Sequence, residues 1–99
     1  MQSFWVYMLR CSDGSYYVGH TDNLERRIAE HDSGEIPGYT HDRRPVKLVF
    51  NQEFVTRDEA FRFERQIKGW SRAKKEALVN GDWEEIKRLA RCHGSTGSP

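Results

Sequence analysis

The 99 residues suit a single domain and leave no room for a second of ordinary size, and no apolar run approaches the ~20 residues of a membrane span. The composition, 31% charged and 12% aromatic, is typical of a small folded protein and argues against a disordered chain. Sixteen basic and fifteen acidic residues leave a net charge of +1, so total charge does not single out a nucleic-acid binder. We expect a cytoplasmic protein, monomeric and with ordinary thiols.

The first two elements are predicted to be paired strands. Residues 4–10 are apolar on both faces, which is typical of a central strand, and Asp13-Gly14 is a strong hairpin signal. The return strand covers residues 16–20, and its alternation places Tyr17 and Gly19 on one face.

Capping residues mark the helices that follow. Asp22 with Glu25 fits a capping box, which opens a helix to about residue 31 that Gly34 ends. After a loop over residues 34–45, the remaining elements are predicted as a strand at 46–54, a helix at 56–69, a helix from Ser71 to about 80 and a helix from Asp82 past Leu89.

The order β-β-α-β-α-α-α predicts an α+β fold, a small three-stranded antiparallel sheet flanked by helices. We expect one domain over residues 1–93, with its motif region at 4–78, and a flexible tail at 94–99.

Glu64 falls inside an apolar stripe on the helix at 56–69. The stripe consists of Ala60, Phe63, Ile67 and Trp70. A carboxylate there needs a cation, a hydrogen-bond network or a metal ion. Two interpretations stay open. Glu64 is either in a buried ion pair with Arg27 or Lys68, or a ligand of divalent magnesium or manganese, which one carboxylate can hold together with waters and phosphate oxygens.

Other residues also allow a structural and a functional interpretation. Arg27 and His31 share one face of the first helix, at the border of the core. Arg27 is either a paired surface side chain or a phosphate ligand, and His31 is either a satisfied polar residue or part of a site. Tyr7 and Tyr17 lie in the middle of paired strands, where aromatic residues are ordinary core material.

The loop at 34–45 carries a basic and aromatic set, Tyr39, Arg43 and Arg44, which suits phosphate contact and base stacking. A solvated surface loop is the alternative.

The segments occur in a recognisable order. They are Val6 to Cys11, Tyr17 to Gly19, Leu24 to Arg27, His31, Tyr39-Thr40 and Arg43 to Val46, with a glutamate on a later helix. Together they resemble the GIY-YIG nuclease family, and in particular its short single-domain bacterial members, the UPF0213-like proteins.

The resemblance implies a metal-dependent endonuclease that hydrolyses phosphodiester bonds in DNA, choosing branched or damaged structures over a base sequence. Tyr17 would be the general base or would position water, and Tyr7 would orient the nucleophile. Arg27 would stabilise the phosphate, and His31 would take a position held by Tyr or His in relatives. Glu64 would hold a single Mg²⁺ or Mn²⁺ ion.

Residues expected to contact the substrate are Gly19, His20, Tyr39, Arg43, Arg44 and Lys68. His20 stands where many nucleases of the family have a lysine, and a neutral imidazole is a weaker electrostatic partner. The alternative is therefore a nucleic-acid-binding module of the same fold, with weak or no catalysis. For an active enzyme we expect the five catalytic residues to converge on one cleft, on a common face of the sheet and its neighbouring helices; Glu64 on the face opposite Tyr17 would overturn the catalytic interpretation.

Overall fold

The structure, a computed structural model, describes the chain over residues 3–92 and the side chains of residues 3–89. It forms two compact units that divide between Lys68 and Gly69. The first unit holds the sheet and two helices, and the second holds two further helices. The tail expected at 94–99 lies outside the described residues, over which no helix is long and apolar enough to cross a membrane.

The sheet has three antiparallel strands, β1 (Phe4–Arg10), β2 (Tyr16–Thr21) and β3 (Lys47–Phe54), in the order β2-β1-β3. The predicted α+β fold is confirmed. Residues 6–9 of β1 are buried, as a strand that is apolar on both faces requires in the middle of a sheet.

The register decides which side chains of the β1–β2 hairpin share a face. Tyr7 lies opposite Gly19, and Leu9 lies opposite Tyr17. Because successive side chains of a strand point to opposite faces, Tyr7, Tyr17 and Gly19 lie on one face and His20 lies on the other. The predicted placement of Tyr17 and Gly19 together is confirmed.

Helix α1 (Leu24–Ser33) lies on the face of the two tyrosines. Its N-cap is Asn23, whose side chain accepts a hydrogen bond from the backbone of Arg26, so the predicted cap at Asp22 is wrong by one residue. Both types are good N-caps, and the local sequence does not separate them. Gly34 ends the helix with φ 83°, a left-handed conformation that favours glycine.

Helix α2 (Arg57–Lys68) covers the opposite face of the sheet. Phe63 contacts Phe50 and Phe54 of β3, with ring centroids 6.2 Å and 5.4 Å away. Ala60 and Ile67 are fully buried, as the predicted stripe requires. Trp70 does not belong to this helix, which ends at Lys68, so that part of the prediction is wrong.

The second unit is a pair of contacting helices, α3 (Arg72–Val79) and α4 (Trp83–Cys92). Ser71 caps α3 as predicted, and the side chain of Asp82 accepts a hydrogen bond from the backbone of Glu85 at the start of α4. The predicted helices of this region are therefore confirmed.

Candidate active site

Three aromatic rings meet where α1 lies on the hairpin. The ring centroids of Tyr7, Tyr17 and His31 are 5.1–6.3 Å apart. Gly19 makes this possible, because a β-carbon there would lie 2.6 Å from the hydroxyl oxygen of Tyr7 and 3.2 Å from the ring of Tyr17. The missing side chain of Gly19 thus leaves the space that the Tyr7 phenol occupies.

His31 is hydrogen-bonded at both ring nitrogens. Its Nε2 lies 2.9 Å from the hydroxyl of Tyr7, and its Nδ1 lies 2.8 Å from the hydroxyl of Thr40. His31 and Thr40 are each 1% exposed. The contact between His31 and Thr40 was not predicted, because the position of Thr40 in the sequence motif does not indicate which side chain it contacts.

Burial keeps the ring of His31 and the phenol of Tyr7 neutral at pH 7. It raises the pKa of Tyr7 well above the usual value; the charges of Tyr17 and Glu64 raise it further, and Arg27 lowers it. Burial also lowers the pKa of His31, as does the neighbouring charge of Arg27, while Glu30 acts the other way. Both groups are therefore hydrogen-bonding partners rather than charges.

The lowered pKa of His31 predicts acid sensitivity. Since the unfolded chain binds the proton more readily, the stability from a neutral His31 is complete above its unfolded pKa of about 6.5 and is lost as pH falls toward the lower folded value. Thermal melting between pH 7.5 and 5.5 should show this slope in the wild type. His31→Gln should flatten it, and His41→Gln, at an exposed histidine, should not. A slope unchanged in His31→Gln would contradict the assignment.

The positive charge of Arg27 lies near the Tyr7 phenol and acts to lower its pKa. Its guanidinium also pairs with Glu30 at 3.3 Å, and within the described chain this is its ion-pair partner, so pairing with Glu64 is not what the structure shows. Arg27 lines a polar cleft of about 190 Å³ with Thr21 and Asn23. The guanidinium can therefore reach a phosphate in that cleft.

Glu64 is buried, 6% exposed, and both carboxylate oxygens have partners. Oε2 lies 2.9 Å from Nζ of Lys68, so the ion-pair interpretation with Lys68 is confirmed. Oε1 lies 2.5 Å from Nδ1 of His20, a contact that was not predicted. The sequence did contain a sign of this contact, because His20 and Glu64 each interrupt an apolar surface. Two such residues are expected to pair if α2 covers the face of β2 that carries His20.

The expectation that all five catalytic residues share one face of the sheet is wrong for Glu64, and the catalytic interpretation is overturned in its single-cleft form. Its helix covers the face of His20, whereas Tyr7 and Tyr17 lie on the other face. The charge of Glu64 is the smallest of the influences that raise the pKa of Tyr7. The two faces are closest in sequence at the outer strand β2, where Gly19 lies on the face of the tyrosines and the next residue, His20, lies on the face of Glu64.

The loop before β3 contacts this site. Tyr39 is 42% exposed and stacks on Tyr17 with ring centroids 6.1 Å apart, and the guanidinium of Arg43 lies 4.0 Å above the ring of Tyr39. Arg43 is tied to Asp13 of the hairpin at 3.1 Å. Arg44 donates to the backbone oxygen of His41 at 2.9 Å. The loop is therefore docked by its own side chains and is more than a solvated connection.

Over the described residues no group of three or more histidine, cysteine or acidic side chains could form a metal cage. The donor set fits a different kind of cation site. A carboxylate offers about four acceptor positions, and the contacts of Glu64 with His20 and Lys68 leave further lone pairs. Such a group suits an ion that takes one protein oxygen and completes its shell with water and phosphate oxygens.

The sequence of this chain matches the model of the GIY-YIG catalytic domain over residues 3–77. The chain belongs to the GIY-YIG family. The matched region contains β1, β2, both helices of the first unit and every residue of the site described above.

The chain is similar to two UPF0213 proteins and to a third protein of known structure. A UPF0213 protein of Natronomonas pharaonis is 51% identical over 75 residues, which are 76% of this chain and 88% of that protein. The solution NMR structure of a UPF0213 protein from Bacillus halodurans has a TM-score of 0.53 at 42% identity, covering 89% of this chain and 97% of that one. A solution NMR structure of an E. faecalis protein has a TM-score of 0.58 at 40% identity, covering 82% and 86%. These names state no reaction, so they support a nuclease-type fold without a substrate.

Proposed function

We propose that this GIY-YIG protein is a metal-dependent endonuclease that hydrolyses phosphodiester bonds in DNA and selects branched or damaged structures rather than a base sequence. One observation carries the proposal. The hydroxyl of Tyr7 lies beside Gly19, hydrogen-bonded to His31 and near the positive charge of Arg27. A neutral phenol next to a cation is suited to binding a phosphate and a water molecule.

The proposed site crosses the outer strand β2 instead of lying on one face. Thr21 borders the polar cleft of Arg27, and His20 borders a cavity of about 430 Å³ that is also lined by Phe61 and Arg57. Because His20 and Thr21 are consecutive, a DNA strand that passes over β2 would contact both cavities.

Hydrolysis places growing negative charge on the phosphate oxygens, and the residues of this chain have separate tasks in stabilising it. Arg27 would bind a phosphate oxygen through its paired donors. Tyr17 would accept a proton from the attacking water or position that water, and Tyr7 would donate a hydrogen bond. Glu64 would hold one Mg²⁺ or Mn²⁺, which when bound supplies Lewis-acid stabilisation of the phosphate.

The test is a cleavage assay on duplex, single-stranded, branched and damaged DNA and on RNA, with Mg²⁺ or Mn²⁺. Cleavage should require the metal, fall sharply in Arg27→Ala and Tyr17→Phe, and persist in Tyr16→Phe, the same change at the neighbouring strand position. Absence of cleavage on every substrate with either metal would refute the nuclease function.

A second candidate is a nucleic-acid-binding module with weak or no catalysis. The observation that favours it is the engagement of both oxygens of Glu64, by His20 and by Lys68. Such a module would bind DNA with the same affinity in the presence and absence of Mg²⁺ and would not cut it. Metal-dependent cleavage excludes it.

We expect the loop before β3 to contribute measurably to the affinity for DNA. Changing Arg43 and Arg44 together to Ala removes two cations of the loop and should weaken DNA binding and reduce the dependence of affinity on salt, because fewer counterions are released. Arg62→Ala with Lys87→Ala removes the same charge from exposed pairs within helices and is the matched control. Equal salt dependence in both double variants would eliminate the loop as a phosphate contact.

A further inference from the structure

Thr40 and His31 are neighbours inside the loop–helix contact of the first unit. The hydroxyl oxygen of Thr40 lies 2.8 Å from Nδ1 of His31, and Nε2 of the same ring lies 2.9 Å from the hydroxyl of Tyr7. All three side chains are 1% exposed. They form one hydrogen-bonded chain that runs from the loop, through α1, to the central strand.

This hydrogen-bonded chain has a direction, because a neutral imidazole has one donor nitrogen and one acceptor nitrogen. In one direction Thr40 donates to Nδ1, and Nε2–H donates to the oxygen of Tyr7, which leaves the phenol proton free to be donated. In the other direction Tyr7 donates to Nε2, and Nδ1–H donates to Thr40, which leaves the threonine proton over.

The surroundings of the two ends favour the first direction. Among the described residues the Thr40 hydroxyl is hydrogen-bonded to His31, and a second buried proton there would lack an acceptor. The oxygen of Tyr7 lies beside Gly19 on the outer strand and near the positive charge of Arg27, a side chain without an acceptor atom. Because Tyr7 is 1% exposed, the acceptor of the phenol proton would be a substrate phosphate or a water that reaches this end when substrate binds.

We propose that Thr40 is a positioning residue that donates to Nδ1 of His31, fixes the Nε2–H tautomer and so leaves the Tyr7 hydroxyl as a donor to substrate phosphate or attacking water. The direction of the hydrogen bonds rests on which end of the chain can find a further acceptor, and its catalytic consequence rests on the proposed nuclease function. His31 thereby transmits the orientation set by the loop to the phenol of the site.

Nitrogen NMR of the His31 ring at pH 7.5 tests the direction. Nε2 should be protonated and Nδ1 should be a hydrogen-bonded acceptor. Thr40→Ser keeps the donor and should keep both resonances, whereas Thr40→Val keeps the shape without the donor and should shift Nδ1 toward that of an unbonded acceptor. A wild-type ring protonated at Nδ1 would overturn the proposal, as would an unchanged Nδ1 resonance in Thr40→Val.

Cleavage kinetics test the consequence. Losing one hydrogen bond should lower kcat about threefold to tenfold in Thr40→Val with little change in KM, and Thr40→Ser should restore it. Thr56→Val is the matched control, since it removes the hydroxyl that caps α2 and should leave His31 and kcat unchanged. If Thr40→Val does not fold, the wild-type tautomer and Thr40→Ser still decide the proposal. Because the tautomer is read without DNA, a chain that cuts no substrate refutes the nuclease function alone.

Discussion

Replacing Glu64 by Gln is expected to abolish metal-dependent cleavage while lowering stability only moderately. The substitution removes the negative charge that faces His20 and Lys68 but keeps the size of the side chain. Breaking a fully buried ion pair costs about 3–5 kcal/mol. The side chain of Lys68 is 53% exposed, so water can solvate the cation left behind, and we expect a loss below ~2 kcal/mol.

Two measurements separate the roles of Glu64: thermal melting without metal, and nicking of DNA with Mn²⁺, each on wild type and Glu64→Gln. Each kcal/mol lost corresponds to a fall of about 4–8 °C in Tm for a chain of this size. Glu76→Gln, in an exposed pair with Arg72, is the matched control and should leave cleavage intact. A large fall in Tm with cleavage retained would assign Glu64 to the ion pair alone.

The strands and helices could be predicted because their signals are local. Alternation over residues 16–20 placed Tyr17 and Gly19 on one face, and capping residues such as Ser71 located helix starts within a residue or two. The error at Asp22, where Asn23 is the cap, came from two adjacent residues of nearly equal capping preference.

The contacts that complete the site were not predictable in the same way. The partnership of His20 with Glu64 depends on which face of the sheet α2 covers, and a helix that follows a hairpin and a strand can cover either face. The contact of Thr40 with His31 depends on the path of an irregular loop. For this reason the expected single-face site became one that crosses β2.

Gly19→Ala adds a single methyl group, and we expect it to lower both the stability and the cleavage rate. The added β-carbon would lie 2.6 Å from the hydroxyl oxygen of Tyr7 and 2.8 Å from its ring carbon Cζ, closer than side chains approach one another. Tyr7 is 1% exposed and hydrogen-bonded to His31, so the ring cannot move away without breaking that bond. Overpacking of this kind costs about 1–3 kcal/mol.

Activity should suffer more than stability in Gly19→Ala, because a displacement of about 1 Å in a catalytic group can reduce the rate ~100-fold. Gly81→Ala is the matched control. Its φ of 69° strains an alanine, but its β-carbon meets open space, so it should lower Tm without lowering kcat. A Gly19→Ala protein with normal kcat would show that the position of the Tyr7 phenol is unimportant.

A double variant identifies the atom responsible. Tyr7→Phe removes the oxygen that the new β-carbon would meet most closely, so it should cost less stability in the Gly19→Ala background than in the wild type. Cleavage should stay low in Tyr7→Phe and in the double variant. Removing the hydroxyl relieves the steric clash, but it also removes the hydrogen-bond donor. Strictly additive losses in Tm would mean that the alanine acts elsewhere, for example through the ring of Tyr17, 3.2 Å from the same β-carbon.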